Sequence, residues 1–293
     1  VPNEEKTNPS PLTKARFLER DFAPFCYVFY NSNHRNHRMT RRATPRRKDN
    51  IVQLIQNDVD AARNGPQKRK TFSALDMYDI KPLTENQEKV FELFDPEPDT
   101  GLILEGCPGT GKTFLAVYIA LKFILDKSTP FKKLIIVRST VPTRDMGFLK
   151  GTEEEKFAPY ERPYMALFDS IFKVKKSYEN MKELGLVQFE STAFLRGNTF
   201  DDAIVLFDEF QNSTYEEFST VASRIGTNSK FVVSGDTHQS DLQKACDLSG
   251  NQKFLKVMKA MGSNDYVRFA PEDIVRSGYV KDLILTQIKL GYL

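Results

Sequence analysis

The sequence predicts an α/β domain built on a mostly parallel sheet flanked by helices. Three observations predict it. From Pro82 onward, short apolar runs alternate with segments of helical period, the pattern of β-α-β units. The runs at 101–105, 133–138 and 203–207 are nearly continuous in apolar residues, as strands covered on both faces are. A glycine-rich turn, Gly106 to Gly111, separates the first such strand from the first strong helix.

The elements follow in order. Residues 1–75 lack a long clean period and read as a basic N-terminal extension, partly disordered, with one short amphipathic helix over 51–62. Asn64-Gly65-Pro66 breaks that helix. Residues 76–293 read as one domain. A buried strand at 101–105 leads to a helix at 113–125 and a strand at 133–138. Residues 140–165 carry Pro142, Gly147, Gly151, Pro159 and Pro163 and read as loop. A helix over 164–184, strands at 186–190 and 203–207, a helix over 214–225 and a strand at 230–234 come next. Helices over 241–261 and 271–290 enclose a strand at 266–269. No internal repeat is visible.

Composition narrows the class. The chain has 293 residues, 40% hydrophobic and 28% charged, which excludes collagen-like, mucin-like and fully disordered readings. The longest apolar run, Phe114 to Leu121, is far shorter than the ~18 residues of a membrane span, so no membrane association is expected. No signal-peptide pattern opens the chain, and secretion is not expected. Cys26, Cys107 and Cys246 form neither a disulfide framework nor a metal knuckle, and a reducing cytosol suits them.

Charge is uneven. Residues 1–75 hold 15 Lys and Arg against 7 Asp and Glu, whereas the remainder is net acidic. From Arg35 to Lys48 the chain carries seven basic residues and no acid. Such a run repels itself, and an arm that condenses on a phosphate backbone is expected. Apart from histidine it has no aromatic side chain for base stacking, which favours non-specific contact. His34 and His37 lack Cys or carboxylate partners and make a poor metal site.

The strongest signal is Gly106-Cys107-Pro108-Gly109-Thr110-Gly111-Lys112-Thr113, a full G-x-x-x-x-G-K-[ST] phosphate loop between strand and helix. Glycines let backbone N–H groups cradle phosphate oxygens, and the helix N-terminus adds partial positive charge. Lys112 is expected to reach the β- and γ-phosphates of ATP, and the Thr113 hydroxyl to ligate Mg²⁺. The chain is therefore expected to be a P-loop NTPase.

The run at 203–207 ends in Asp208-Glu209, a Walker B pattern. Asp208 is expected to hold the metal shell, and Glu209 to polarise the attacking water. The strand at 230–234 is followed by Gly235, Asp236 and, three residues on, Gln239. These read as a γ-phosphate sensor or, alternatively, as a polar turn with Asp236 capping a helix. His238 reads as an ordinary loop residue.

Together these residues resemble the PhoH family, including its phage-encoded members. The carriers are GCPGTGKTFLA at 106–116, RSTVPTRDMGFLKGTEEEKFAPY at 138–160, FLRGNTFDDAIVLFDEFQN at 194–212, SRIGTNSKFVVSGDTHQSDL at 223–242 and PEDIVRSGYV at 271–280. The resemblance extends from about Lys81 to Tyr292. Cys107-Pro108, Gln243 and Ser277 depart from the usual family residues. The family resembles the first RecA-like domain of superfamily 1 helicases. The resemblance implies an ATPase coupled to RNA or single-stranded nucleic acid, in the cytoplasm of a bacterium or a phage-infected host. It implies that Gln87 reads the adenine edge, that Arg276 or Arg224 is an arginine finger, and that Arg138 contacts a nucleic-acid backbone.

Only 54 residues follow Gln239, fewer than the ~100–150 of a second lobe. A homo-oligomer, a hexameric ring with the finger supplied by the next subunit, is therefore expected. Two functions stand side by side: a nucleic-acid-stimulated ATPase, helicase-like when assembled, and a nucleotide-gated binding switch with slow turnover. Glu209 favours the first, since a pure binder needs no water-activating carboxylate.

Overall fold

The computed structural model describes residues 71–139, 153–195, 197, 199–237 and 245–292. Among them six strands form one sheet in the order β3-β2-β4-β5-β1-β6. They are β1 Gly101–Gly106, β2 Lys133–Arg138, β3 Val187–Ser191, β4 Ala203–Asp208, β5 Lys230–Gly235 and β6 Asn264–Phe269. Every pairing is parallel, so consecutive strands are joined by crossovers rather than hairpins. The helices are α1 Glu85–Leu93, α2 Lys112–Leu125, α3 Glu153–Ile171, α4 Ser177–Glu183, α5 Tyr215–Ala222, α6 Ala245–Ala260 and α7 Gly278–Lys289.

The two-residue period of each strand divides the core in two. Leu102, Leu104, Ile136, Ile204, Leu206 and Val232 pack on one face with α2, α3 and α4. Ile103, Ile135, Val137, Val205, Phe207 and Val233 pack on the other, with Phe218 of α5 and Phe254 of α6. Both β4 and β5 are buried at every position, which is why their sequences show no polar alternation. The helix α2 buries every residue from Leu115 to Leu121, and its sequence is accordingly apolar all round.

The expected loop over 140–165 is corrected in part. Residues 140–152 lie outside the described ones, but α3 begins at Glu153 and contains both Pro159 and Pro163. Each interior proline removes one helical hydrogen bond at a cost of about 3 kcal/mol. Tyr164, Leu167, Phe168 and Ile171, all buried, recur at helical spacing, and their burial outweighs that cost at ~1.5–3 kcal/mol per side chain. The expected helix over 164–184 is two helices, α3 and α4. The segment expected as one helix over 271–290 is a 3-10 turn, Pro271–Asp273, followed by α7. The short helix expected over 51–62 and the basic arm lie outside the described residues.

Register aligns the strand ends. Gly106 pairs with Phe269, Glu105 with Gly235, Asp208 with Ser234, and Arg138 with both Asp208 and Ser191. The carboxyl ends of all six strands thus share one edge, where open α/β sheets place ligands. At the opposite edge the buried Lys230 ammonium donates to Asp95 at 2.7 Å and to the Glu97 carbonyl at 3.3 Å, fixing the segment that enters β1.

Phe218 is fully buried, edge-on to Phe207 at 4.9 Å and to Phe231 at 6.0 Å between ring centroids. Phe218→Ala is expected to destabilise the domain by about 3–5 kcal/mol in urea unfolding. A loss below ~1 kcal/mol would show that α5 is not a structural part of the second core.

Candidate functional site

The glycine-rich turn leaves the sheet through a constriction. Gly106 has φ of 131°, and a Cβ there would lie 2.0 Å from the Phe269 carbonyl oxygen. Cys107 N–H donates to that same oxygen at 3.2 Å. Only glycine passes this point. Gly109 and Gly111 also have positive φ, 75° and 85°, and Gly111 caps α2. No acidic side chain occupies the first turn of α2, so its positive dipole end faces the loop uncompensated.

Lys112 is folded back into the loop. Its ammonium donates to the carbonyls of Gly106 and Cys107, each at 2.7 Å. Burial pushes its pKa down, against the opposing pull of Asp236, Glu209 and Asp208. A buried cation resting on carbonyls, at a helix N-terminus lined by glycine, fits a polyphosphate. Thr110 donates through Oγ1 to the Cys107 carbonyl at 3.0 Å and helps hold the turn. Pro108 lies within the same turn, and Cys107 is a free thiol.

Asp208, at the end of β4, meets the loop across β5. Thr113 Oγ1 donates to Asp208 Oδ1 at 2.8 Å, although the two lie 95 residues apart. Tyr164 of α3 donates its hydroxyl to Asp208 Oδ2 at 2.7 Å. Arg138, at the end of β2, lies beside Tyr164, Asp208 and Glu209. Among the described residues no three His, Cys, Asp or Glu side chains form a metal cage. Mg²⁺ ordinarily takes one or two carboxylates and completes its shell with phosphate and water, and the Thr113–Asp208 pair is an oxygen donor set of that kind.

Glu209 follows with φ of 53°, a left-handed turn that directs the chain away from the strand. Its Oε2 accepts from Gln211 Nε2 at 2.6 Å. Burial, then the neighbouring Asp208 charge, raises its pKa above the usual carboxylate range, with Arg138 opposing. Gln211 also accepts through Oε1 from the Asp236 backbone N–H at 3.0 Å. One amide therefore links the Walker B turn to the turn after β5. A second link is Glu105 of β1, which accepts from Thr237 Oγ1 and the Tyr266 hydroxyl, each at 2.8 Å, and from Lys259 at 2.9 Å. Burial alone would raise the Glu105 pKa, but those three donors bring it below the usual range.

The other sequence-derived candidates divide. Gln87 is buried beside the loop: Nε2 donates to the Thr110 carbonyl at 2.9 Å and Oε1 accepts from Leu83 N–H at 2.8 Å. Its amide braces the loop, a contact its spacing did not announce. Arg276 lies on the loop of its own chain, its Cγ 2.8 Å from where a Gly109 Cβ would be. Val275 N–H donates to the Gly109 carbonyl at 3.1 Å. Arg224 is not brought there. Its carbonyl accepts from Phe200 N–H at 2.7 Å, ahead of β4 and β5, at the opposite sheet edge from the loop. Arg138 is partly exposed and stands beside the carboxylates Asp208 and Glu209. Gln239 and His238 lie outside the described residues. Tyr164, Gln211 and Glu105 were missed; only the FDEFQN run, which contains Gln211, could have drawn attention to one of them.

Known proteins resemble this chain in sequence. The sequence model of the PhoH family, PhoH-like protein, matches residues 79–287. Protein PhoH2 of Bacillus subtilis (strain 168) is 34% identical over 178 residues, covering 59% of this chain and 40% of its own. Protein PhoH of Escherichia coli (strain K12) is 33% identical over 207 residues, covering 70% and 58%. The chain thus spans about half the length of these relatives. Among solved structures, the large terminase of a thermophilic bacteriophage overlaps 71% of this chain and 50% of its own, with TM-score 0.44 and 12% identity.

The raised Glu209 pKa has a consequence for stability. The folded state binds a proton there more tightly than the unfolded state, so stability falls as pH rises through the interval between the two pKa values. Glu209→Gln keeps the acceptor for Gln211 and removes the charge. It is expected to raise the melting temperature by a few degrees at pH 7–8, and to give no gain below about pH 4, where both states are protonated. A lower melting temperature at pH 8 would contradict the burial cost.

Proposed function

The chain belongs to the PhoH family, and from that premise we propose that it binds ATP with Mg²⁺ and hydrolyses it, coupled to RNA or single-stranded nucleic acid. The observation that carries this reading is the 2.8 Å hydrogen bond from Thr113 to Asp208, which joins the phosphate loop to a carboxylate followed directly by Glu209. When bound, Mg²⁺ neutralises charge on the β- and γ-phosphate oxygens. Lys112 exchanges its carbonyl partners for phosphate oxygens. Glu209 accepts the proton of a water attacking the γ-phosphorus, and the bond to the bridging oxygen of ADP breaks. Gln211 orients Glu209 and, through Asp236, ties it to the turn that leads to Gln239, the γ-phosphate sensor in this reading. Gln87 holds the loop, its remaining amide capacity serving the adenine edge.

The basic run from Arg35 to Lys48 supports the nucleic-acid partner. Assembly of copies into an oligomer, a hexameric ring, is supported by α7. Tyr279 and Leu283 stand exposed along one side of it, with exposed Leu290 just past its end, and Ile284 on its other side reaches 3.5 Å from the Gly109 position. No helix among the described residues is long and apolar enough to cross a membrane, and this reading sets the protein at work in the cytoplasm of a bacterium or phage-infected cell. The second reading, a nucleotide-gated switch with slow turnover, rests on the same loop and differs in what Glu209 does.

Steady-state ATP hydrolysis with Mg²⁺, with and without single-stranded RNA and DNA, tests the function. Activity stimulated by one polymer and lost in Lys112→Ala is expected. Hydrolysis indifferent to both polymers would remove the coupling, and nucleotide binding without hydrolysis would favour the switch.

Arg276 lies on its own loop, so we take it as the finger and assign it to act in cis, in place of the neighbour's arginine expected from the sequence. Arg276→Ala is expected to lower turnover by about 10³-fold or more. Mixing Arg276→Ala with Lys112→Ala is expected to recover nothing, since neither chain has a complete site. Recovered hydrolysis in the mixture would show that the arginine acts across a subunit boundary.

A further inference from the structure

We infer that Tyr164 is a positioning residue of the metal site, holding Asp208 in the geometry in which it receives Mg²⁺. The inference rests on the ATPase reading above and deepens it. Both carboxylate oxygens of Asp208 are engaged by hydroxyls from separate helices: Oδ1 by Thr113 of α2 at 2.8 Å, Oδ2 by Tyr164 of α3 at 2.7 Å. Two such contacts, one on each oxygen, fix the carboxylate plane. Each oxygen keeps a further lone-pair direction for a metal-bound water.

Tyr164 is itself held. It is buried, its ring centroid lies 5.9 Å from that of Phe189, its hydroxyl is hydrogen-bonded to Asp208, and the Arg138 charge stands near it. The carboxylate only accepts, so the one proton of the tyrosine hydroxyl goes to Asp208. Tyr164 and Thr113 thus meet on one carboxylate, Asp208. Burial satisfaction alone explains less, because a buried tyrosine hydroxyl needs one partner of any kind. Here the partner is the single carboxylate that meets the phosphate-loop threonine. Outer partners of this type commonly contribute tenfold or more to metal affinity.

The test is Mg²⁺ titration of fluorescent ADP-analogue binding to the full chain, comparing the wild type with Tyr164→Phe and, as reference, Asp208→Asn. Phenylalanine fills the same space and removes only the hydroxyl. In EDTA, Tyr164→Phe is expected to bind the analogue as the wild type does, with a melting temperature lowered only by the loss of one buried hydrogen bond. With Mg²⁺, its half-saturating concentration is expected to rise about tenfold. An unchanged Mg²⁺ requirement in Tyr164→Phe, beside a Mg²⁺-dependent wild type, would overturn this inference alone. Equal weakening with and without Mg²⁺ would also overturn it, in favour of a purely structural tyrosine. A wild type whose nucleotide binding ignores Mg²⁺, or is absent, would overturn the ATPase reading itself.

Discussion

The site depends on one close approach of backbone to backbone. Where β1 ends, the Phe269 carbonyl occupies the space that any side chain at position 106 would need. That oxygen also accepts the Cys107 N–H, so the loop is tied to β6 as it leaves the sheet. The turn then closes over Lys112 and enters α2. A larger residue at 106 would force β1 away from β6 or redirect the loop. Either change would separate Thr113 from Asp208, two strands away. The sheet register and the phosphate cradle are in this sense one constraint.

Around that cradle the protein gathers opposed charges in a small volume. Lys112 and Arg138 stand against Asp208 and Glu209. Burial works against each of Lys112, Arg138 and Glu209 as a charge; the surrounding opposite charges offset only part of that cost for Lys112 and Glu209 but outweigh it for Arg138, whose pKa is raised. The Lys112 pKa moves down and the Glu209 pKa moves up, so both groups lean toward neutrality. A polyphosphate would reverse the first tendency by giving Lys112 an anion. Opposed buried charges at the carboxyl edge of the sheet are what the proposed nucleotide site requires.

The parts that were legible in the sequence are those written in contiguous residues. The phosphate loop, the Asp208-Glu209 pair and the core strands β2, β4 and β5 could be read because their spacing lies along the chain. Other parts could not. Tyr164 sits four residues after Tyr160, between two prolines' influence and a run of core residues, and nothing local separates it from them. Its contact with Asp208 exists only because α3 packs into the core on the face where β4 ends. The loop expected over α3 has the same cause in reverse: proline is a local signal, whereas the burial that outweighs it is tertiary. The family resemblance offered both Arg276 and Arg224 as finger candidates. The topology parts them, because one precedes its strands and the other follows β6.

Two cross-links then explain why these elements act as a unit. Gln211 joins Glu209 to the Asp236 backbone, and Glu105 joins β1 to Thr237. The turn after β5 is thus fastened on one side to the carboxylate proposed to activate water, and on the other to the strand that launches the phosphate loop. Gly235 lies between them with no room for a side chain, since a Cβ there would sit 2.3 Å from Gln211 Oε1. A displacement of this turn cannot be absorbed locally, because packed interiors do not yield smoothly. It must move Gln211, and with it Glu209, or else break the contact from Thr237 to Glu105. Asp236 and Glu209, the carboxylate proposed to activate water, are therefore coupled through one amide side chain.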